Sequence, residues 1–283
     1  MGGPADGGAS AGTIEVPFPV TQYLDTPQGR RIAYVQTPGA GPGLVFLGGF
    51  KSDMTGTKAQ FLENWARETG RAFLRFDYSG HGQSSEDFLD GCIGDWAEDA
   101  LQAIRMLTTG KQVLVGSSMG GWIALLVARA MPERVAALVG IAAAPDFTED
   151  GMWSDFSETQ RAALMRDGHV DLPSDYADEP YRITRRLIED GRTRLVLRSP
   201  LPLPFPVRLL QGSDDTDVPV SVALKLFAHA DSPDLNLTLV KGADHRFSEP
   251  ENLALLARTW PKLPPLTRQP EPARWPQAAP AVP

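Results

Sequence analysis

Hydrophobic positions in this chain fall into short unbroken runs separated by longer stretches in which they recur every three or four residues. Gly43-Leu44-Val45-Phe46-Leu47, Ala72 to Phe76, Val113-Leu114-Val115, Val135 to Ile141 and Val207 to Gln211 are runs of the first kind. Runs this short and continuous are expected of strands covered on both faces. Between them, Thr57 to Glu68, Asp95 to Leu107, Trp122 to Met131, Val220 to Ala230 and Glu251 to Trp260 carry helical patterns, and Asn236 to Val240 is a further strand. Alternation of buried strands with helices of ten or more residues predicts a mostly parallel twisted sheet with helices on both faces, built from right-handed crossovers. At the start, Val20 to Leu24 and Arg31 to Gln36 flank Thr26-Pro27-Gln28-Gly29, which reads as a turn between antiparallel strands.

The alternation fails between Asp146 and about Leu203. That stretch holds Met152-Trp153, Phe156 and helical patterns at Glu158 to Arg166 and Glu179 to Asp190. An insertion placed between two sheet strands predicts a small helical lid, residues 146–203, over the carboxyl end of the sheet, where ligands collect in open α/β sheets. The core is then expected in residues 13–145 and 204–260. Residues 1–12 read as a disordered Gly/Ala-rich tail, and 261–283, with Pro264-Pro265, Pro270, Pro272, Pro276, Pro280 and Pro283, as an extended tail that cannot build a core.

A chain of 283 residues with 42% hydrophobic content can bury one large α/β core. Its net charge of -8 argues against nucleic acid or an anionic membrane as partner. The longest apolar run is too short to span a bilayer. With one cysteine, Cys92, no intrachain disulfide or cysteine-built metal site can form, which fits a reducing compartment. The first residues match neither a secretory signal nor an Arg-rich transit peptide, and Asp6 stands where a myristoylation signal wants Ser or Thr. A cytoplasmic location is the expectation.

The chemistry concentrates where the run Val113 to Val115 breaks into Gly116-Ser117-Ser118-Met119-Gly120 and continues as a helix. A strand, a tight turn and a helix with a serine at the apex is the context in which Gly-x-Ser-x-Gly marks a nucleophile, so Ser118 is the candidate. A serine hydroxyl needs a base, usually a histidine oriented by a carboxylate. Of the four histidines, His169 lies in the insertion, His229 ends a helix, and His81 sits in a glycine turn upstream of the serine. His245, in the loop after the last strand, fits the order serine, acid, histidine. Between them, Gly212-Ser213-Asp214-Asp215-Thr216-Asp217-Val218-Pro219 offers three acids. The spacing Gly-x-x-Asp-x-x-Val-Pro selects Asp215 over Asp214 and Asp217, with Asp146 a further place for the acid. The oxyanion needs two backbone N–H donors, from Met119 and from the loop Gly48-Gly49-Phe50-Lys51, where Phe50 is the candidate.

Three blocks, Gly-Phe-Lys-Ser-Asp-Met-Thr-Gly-Thr-Lys-Ala (49–59), Arg-Phe-Asp-Tyr-Ser-Gly (75–80) and Gly-Ser-Ser-Met-Gly-Gly-Trp (116–122), resemble the α/β-hydrolase superfamily. The likeness is to its palmitoyl-protein thioesterase and mycophenolic acid acyl-glucuronide esterase subgroup, and it runs from about Val45 to Phe247. It implies the α/β-hydrolase fold, the same Ser118, Asp215 and His245, and hydrolysis of esters or thioesters with no metal or cofactor. Gln211 stands where many hydrolases have His before Gly-x-x-Asp. The expected function is therefore a serine esterase or thioesterase acting through an acyl-enzyme on a small-molecule or acylated substrate, with oligomeric state left open. Carbon–carbon bond hydrolysis or cofactor-free perhydrolysis on the same fold, and an inactive ligand-binding relative, are the alternatives, because fold does not fix chemistry.

Tyr78 in the turn Asp77 to Ser84 and the insertion aromatics Trp153 and Phe156 are candidate substrate contacts, or else packing residues. The insertion also concentrates Arg182, Arg185, Arg186, Arg192, Arg194 and Arg198. These read as a solvated basic face, with pairing of one Arg to a substrate carboxylate as the sharper alternative.

Overall fold

The computed structural model describes residues 20–172 and 181–259; the expected tails, residues 1–12 and 261–283, lie outside the described residues. Strands β1 (Gln22–Asp25) and β2 (Arg31–Thr37) form the expected antiparallel hairpin, with Gly29 N–H donating to Thr26 O to close the turn. There follow β3 (Ala40–Leu47), α1 (Thr57–Glu68), β4 (Arg71–Phe76), α2 (Ile93–Leu107), β5 (Gln112–Ser117), α3 (Met119–Ala130) and β6 (Val135–Ile141). The insertion closes with the two-residue β9 (Leu201–Pro202), and after it come β10 (Val207–Gly212), α6 (Val220–His229), the two-residue β11 (Ala230–Asp231), β12 (Leu235–Val240) and α7 (Pro250–Arg258).

Eight of these strands make one sheet in the order β1-β2-β4-β3-β5-β6-β10-β12, parallel from β4 to β12. The chain steps outward from β3 to β4, then crosses back over β3 to β5. The carboxyl ends of β3 and β5 are thus neighbours at the point where the winding reverses, the place at which α/β sheets open a crevice. Burial on both faces explains the unbroken apolar runs. Val45, Leu47 and Leu114 enter the core shared with α2 and α3, whereas Leu44, Phe46, Val113 and Val115 enter the one shared with α1 and α7.

Residues 146–203 leave the sheet after β6 and return before β10. They hold a π-helical turn (Thr148–Trp153), α4 (Glu158–Asp167), an antiparallel hairpin of β7 (His169–Leu172) and β8 (Tyr181–Thr184), and α5 (Arg185–Arg192). A full capping box, Ser157 with Gln160, starts α4, and left-handed Gly168 ends it. The helix expected over Glu179 to Asp190 begins later than the pattern implied. Tyr181–Thr184 pairs with β7 instead, and the Thr184 hydroxyl caps the N-terminus of α5 by accepting the Leu187 N–H. Positions 179 and 180 lie outside the described residues.

The insertion is fastened at its root by one carboxylate. Asp146, fully buried and in a left-handed conformation (φ 59°), accepts the Val196 N–H at 2.8 Å and the Leu197 N–H at 3.0 Å and pairs with Arg198 at 3.2 Å. Burial pushes its carboxyl pKa up, against the pull of those donors. The acid position considered for Asp146 in the sequence is therefore taken by a structural bond between the two ends of the insertion. Asp146→Ala leaves two buried N–H groups without acceptors, at about 1–3 kcal/mol each. It should lower the stability read by urea denaturation by roughly 2–6 kcal/mol and speed amide exchange at Val196 and Leu197; unchanged exchange there would show that the carboxylate does not fasten the insertion.

Candidate active site

At the end of β5 the backbone turns so sharply that Ser118 takes φ 54°, ψ -121°, a region unfavourable to any side chain. The turn is tied on both sides, with Ser118 N–H donating to Ile141 O (2.9 Å) and Ser118 O accepting from Gly121 and Ala144 (2.8 and 3.1 Å). Two glycines make it possible. A Cβ on Gly120 would sit 2.0 Å from Leu47 O, and one on Gly116 2.3 Å from Gly120 O, so α3 starts in direct backbone contact with β3 and β5. Next to it, a Cβ on Gly49 would lie 3.5 Å from Ser118 Cβ, which sets the Gly48-Gly49-Phe50 backbone beside the serine.

His245 arrives from the loop after β12, and Asp215 from the loop after β10. His245 Nε2 lies 3.1 Å from Ser118 Oγ, and Nδ1 lies 3.0 Å from both Asp215 oxygens. With Nδ1–H donating to Asp215, Nε2 is left as the acceptor for the serine proton. Asp215 Oδ1 also accepts the Asp217 and Val218 N–H groups (3.0 and 2.8 Å), and Oδ2 accepts from Gln211 Nε2 at 2.9 Å. Burial alone would raise the Asp215 carboxyl. The hydrogen bonds from His245 and Val218, the nearby imidazole charge and the Gln211 amide outweigh it and hold the pKa below the ordinary carboxylate value. Asp214 is engaged with the Ser213 hydroxyl (2.7 Å), and Asp217 stands on the other side of the imidazole, 3.9 Å from Nε2. The loop is therefore built around Asp215. Gln211 is the partner that the sequence reading missed; its side chain also donates to Val218 O at 2.9 Å.

A cavity of about 720 Å³ opens over Ser118 and His245. Phe50 and Met119 line it, and Met119 is the first residue of α3, so its N–H has no partner within the helix. The Phe50 ring packs edge-on to Phe88, Trp96 and Phe147 at centroid separations of 4.9, 5.9 and 5.8 Å. The insertion supplies much of the apolar wall, through Phe147, Met152, Phe156, Leu172, Tyr181 and Ile183. Of the candidate substrate contacts, Phe156 faces the cavity. Trp153 instead lies under Arg192, 4.2 Å from its ring centroid, and Tyr78 is buried with its hydroxyl 3.5 Å from Gly48 O; neither is part of the cavity wall. The turn around Tyr78 is organised by Asp77, which accepts the Met54 and Gln83 N–H groups at 2.6 and 2.8 Å.

Each of the six arginines from Arg182 to Arg198 meets a carboxylate: Arg182 with Asp171, Arg185 with Glu189, Arg186 with Asp95, Arg192 with Glu149, Arg194 with Asp190, and Arg198 with Asp146 and Asp150. None of the six lines the cavity. The expected basic face is thus a network of ion pairs that ties the insertion to itself, to α2 and to its own root. Among the described residues no group of three or more His, Cys, Asp or Glu is placed to hold a metal ion, and no helix is long and apolar enough to cross a membrane.

A model of the alpha/beta hydrolase family matches residues 42–277. The bovine protein named palmitoyl-protein thioesterase ABHD10, mitochondrial, is 38% identical over 242 residues, covering 84% of this chain and 78% of the relative. The rat protein of that name is 39% identical over 238 residues, covering 84% and 80%. Among solved structures, a putative hydrolase from Agrobacterium vitis S4 superposes with TM-score 0.82 at 39% identity, covering 86% of this chain and 97% of that one. The mouse alpha/beta hydrolase domain-containing protein 10 superposes with TM-score 0.80 at 36% identity, covering 85% and 96%.

The contact of Gly120 with the carbonyls of Leu47 and Gly48 allows no side chain, since both neighbours are backbone. Gly120→Ala is expected to cost at least about 3 kcal/mol, the upper end for overpacking, read as a fall in the urea midpoint. Wild-type stability in this variant would mean that the elbow relaxes without loss.

Proposed function

The chain belongs to the alpha/beta hydrolase family, and on that footing we propose that it is a serine hydrolase of carboxylic esters or thioesters, with Ser118 as nucleophile, His245 as base and Asp215 as acid. One observation carries this reading: the continuous row from Asp215 through His245 to Ser118 Oγ, at 3.0 and 3.1 Å, on a serine whose backbone is strained outward into a cavity. An inactive binding protein has no physical need of that row.

The chemistry follows from the placement. Ser118 Oγ attacks the acyl carbon while its proton passes to His245 Nε2, and the negative charge of Asp215 stabilises the imidazolium. The carbonyl oxygen, now an alkoxide, is received by the N–H groups of Phe50 and Met119, each such donor contributing roughly 3–4 kcal/mol to transition-state stabilisation. Collapse of the tetrahedral adduct breaks the bond to the leaving oxygen or sulfur, which takes the proton from Nε2. Water then enters, gives its proton to the same nitrogen, and releases the acid and free Ser118. Residues 146–203 serve as the lid, and their apolar residues, Phe156 included, receive the acyl chain. The names of the mammalian relatives support a thioester among the substrates. A cytoplasmic location remains our proposal, and the single buried free thiol, Cys92, fits any reducing compartment; the mammalian relatives carry "mitochondrial" in their names, and fractionation of the tagged protein decides between the two.

A fluorophosphonate probe should label the wild type and not Ser118→Ala, whose turnover of p-nitrophenyl esters falls by about 10⁴-fold or more. Asp215→Asn should keep the fold and lose about 10⁴-fold in kcat. An unlabelled, folded wild type would sink the reading. Across acetate to palmitate esters, kcat/KM should rise with chain length; a flat profile would assign the insertion's apolar wall to packing alone.

A further inference from the structure

The block 49–59 gives Phe50 to the mechanism and leaves its second lysine without a role. Lys58 is the second residue of α1 and lines the cavity, and its Nζ donates a hydrogen bond to the backbone carbonyl of Arg246, the residue that follows His245. The same carbonyl also accepts the Ser248 hydroxyl at 2.9 Å, a bond local to the turn that does not tie it to another element. Further bonds of this segment lie before the histidine or within the turn. Gly242 N–H donates to Ser213 Oγ (2.8 Å), Asp214 N–H donates to Ala243 O (3.0 Å), and Phe247 N–H donates to Asp244 Oδ1 (3.0 Å). The acid loop thus grips the segment on the near side of His245, and Lys58 grips it on the far side. Beyond Arg246 the chain enters the left-handed conformation of Phe247 (φ 50°), whose ring is fully buried.

We propose that Lys58 is a positioning residue for the histidine: by holding the Arg246 carbonyl to α1 it keeps His245 Nε2 directed at Ser118. This rests on the proposed roles of Ser118 and His245. An ammonium donor makes a bond roughly twice as strong as a neutral one, so the grip depends on the charge of Lys58. Asp244 and Arg246 of the same segment act on its charge, and Asp53, Asp217 and His245 are the other titratable groups that line the cavity. Burial lowers its pKa to about 8, with Asp244 opposing the shift and Arg246 adding to it. Below that pH the grip is at full strength; above it the neutral amine is a weaker donor.

The test uses Lys58→Met and Lys58→Arg with a neutral p-nitrophenyl ester, against wild type whose labelling by the fluorophosphonate probe is established first. Lys58→Met should lose about 10- to 100-fold in kcat, as for a lost charged hydrogen bond, with KM little changed and faster amide exchange at His245 to Phe247. Lys58→Arg, charged at all working pH, should recover most of kcat and extend activity past the decline expected of the wild type above about pH 8. Wild-type kcat in Lys58→Met would overturn the proposal, as would an effect confined to KM for substrates with an anionic leaving group, which would make Lys58 a substrate contact. If Lys58→Met does not fold, the wild-type and Lys58→Arg pH profiles decide, and coincident profiles overturn it. A wild type that the probe fails to label removes the reading beneath it instead.

Discussion

The structure depends on one close approach, the contact of α3 with the carboxyl ends of β3 and β5 through Gly116 and Gly120. Backbone meets backbone there, with no side chain between. Because α3 enters so near the sheet, Ser118 is forced into a strained conformation and its hydroxyl is lifted away from the strands. Because β3 ends at the same place, the Gly48-Gly49-Phe50 loop has nowhere to go but alongside the serine. The reversal of winding between β3 and β5 leaves that corner open above, and the loops after β10 and β12 reach into it from the far half of the sheet. A serine, a histidine and a carboxylate that are 127 and 30 residues apart in pairs thereby share one line of hydrogen bonds.

The residues around this corner divide into those facing the cavity and those that fix its walls. Phe50 belongs to both, since it lines the cavity while its ring packs on Phe88, Trp96 and Phe147. Phe147 comes from the insertion and Trp96 from α2, so these rings seat the loop, the insertion and the body against one another. Lys51, next in sequence, adds an ammonium 4.3 Å from the Tyr181 ring of the hairpin and 5.3 Å from that of Phe88. Such contacts are worth about 0.5–1 kcal/mol at exposed sites, small beside the burial of the rings they join.

The strands legible in the sequence are those whose burial is complete. β3, β5 and β6 lie between two helical layers, so apart from Gln112 at the start of β5 their positions are apolar or small and the runs stand out. The elbow was legible because glycine spacing reports backbone contact directly. What escaped depended on partners distant in the chain. Tyr181-Arg182-Ile183-Thr184 does alternate apolar and polar, but four residues at the head of a longer helical pattern are too few to stand out, and they become a strand because β7 lies beside them. The insertion arginines look like a basic face until Asp95, Asp146, Glu149, Asp150 and Asp171 are folded onto them. Gln211 is an ordinary polar residue at a strand end until its amide is seen between Asp215 and Val218.

Asp146 has a wider consequence. It stands at the departure point of the insertion and accepts the N–H groups of residues 50 and 51 positions later, so both ends of the excursion meet at one buried carboxylate. A loop whose ends are already joined costs little more in entropy when it is lengthened or rebuilt, since each doubling adds only about 0.6 kcal/mol. The segment between is therefore a cassette. Its helices, hairpin and pocket-facing side chains can be exchanged over evolutionary time while the sheet, the elbow and the hydrogen-bonded row beneath remain the same machine, and descent within such a lineage would be expected to show diversity of substrate concentrated between these two anchor points.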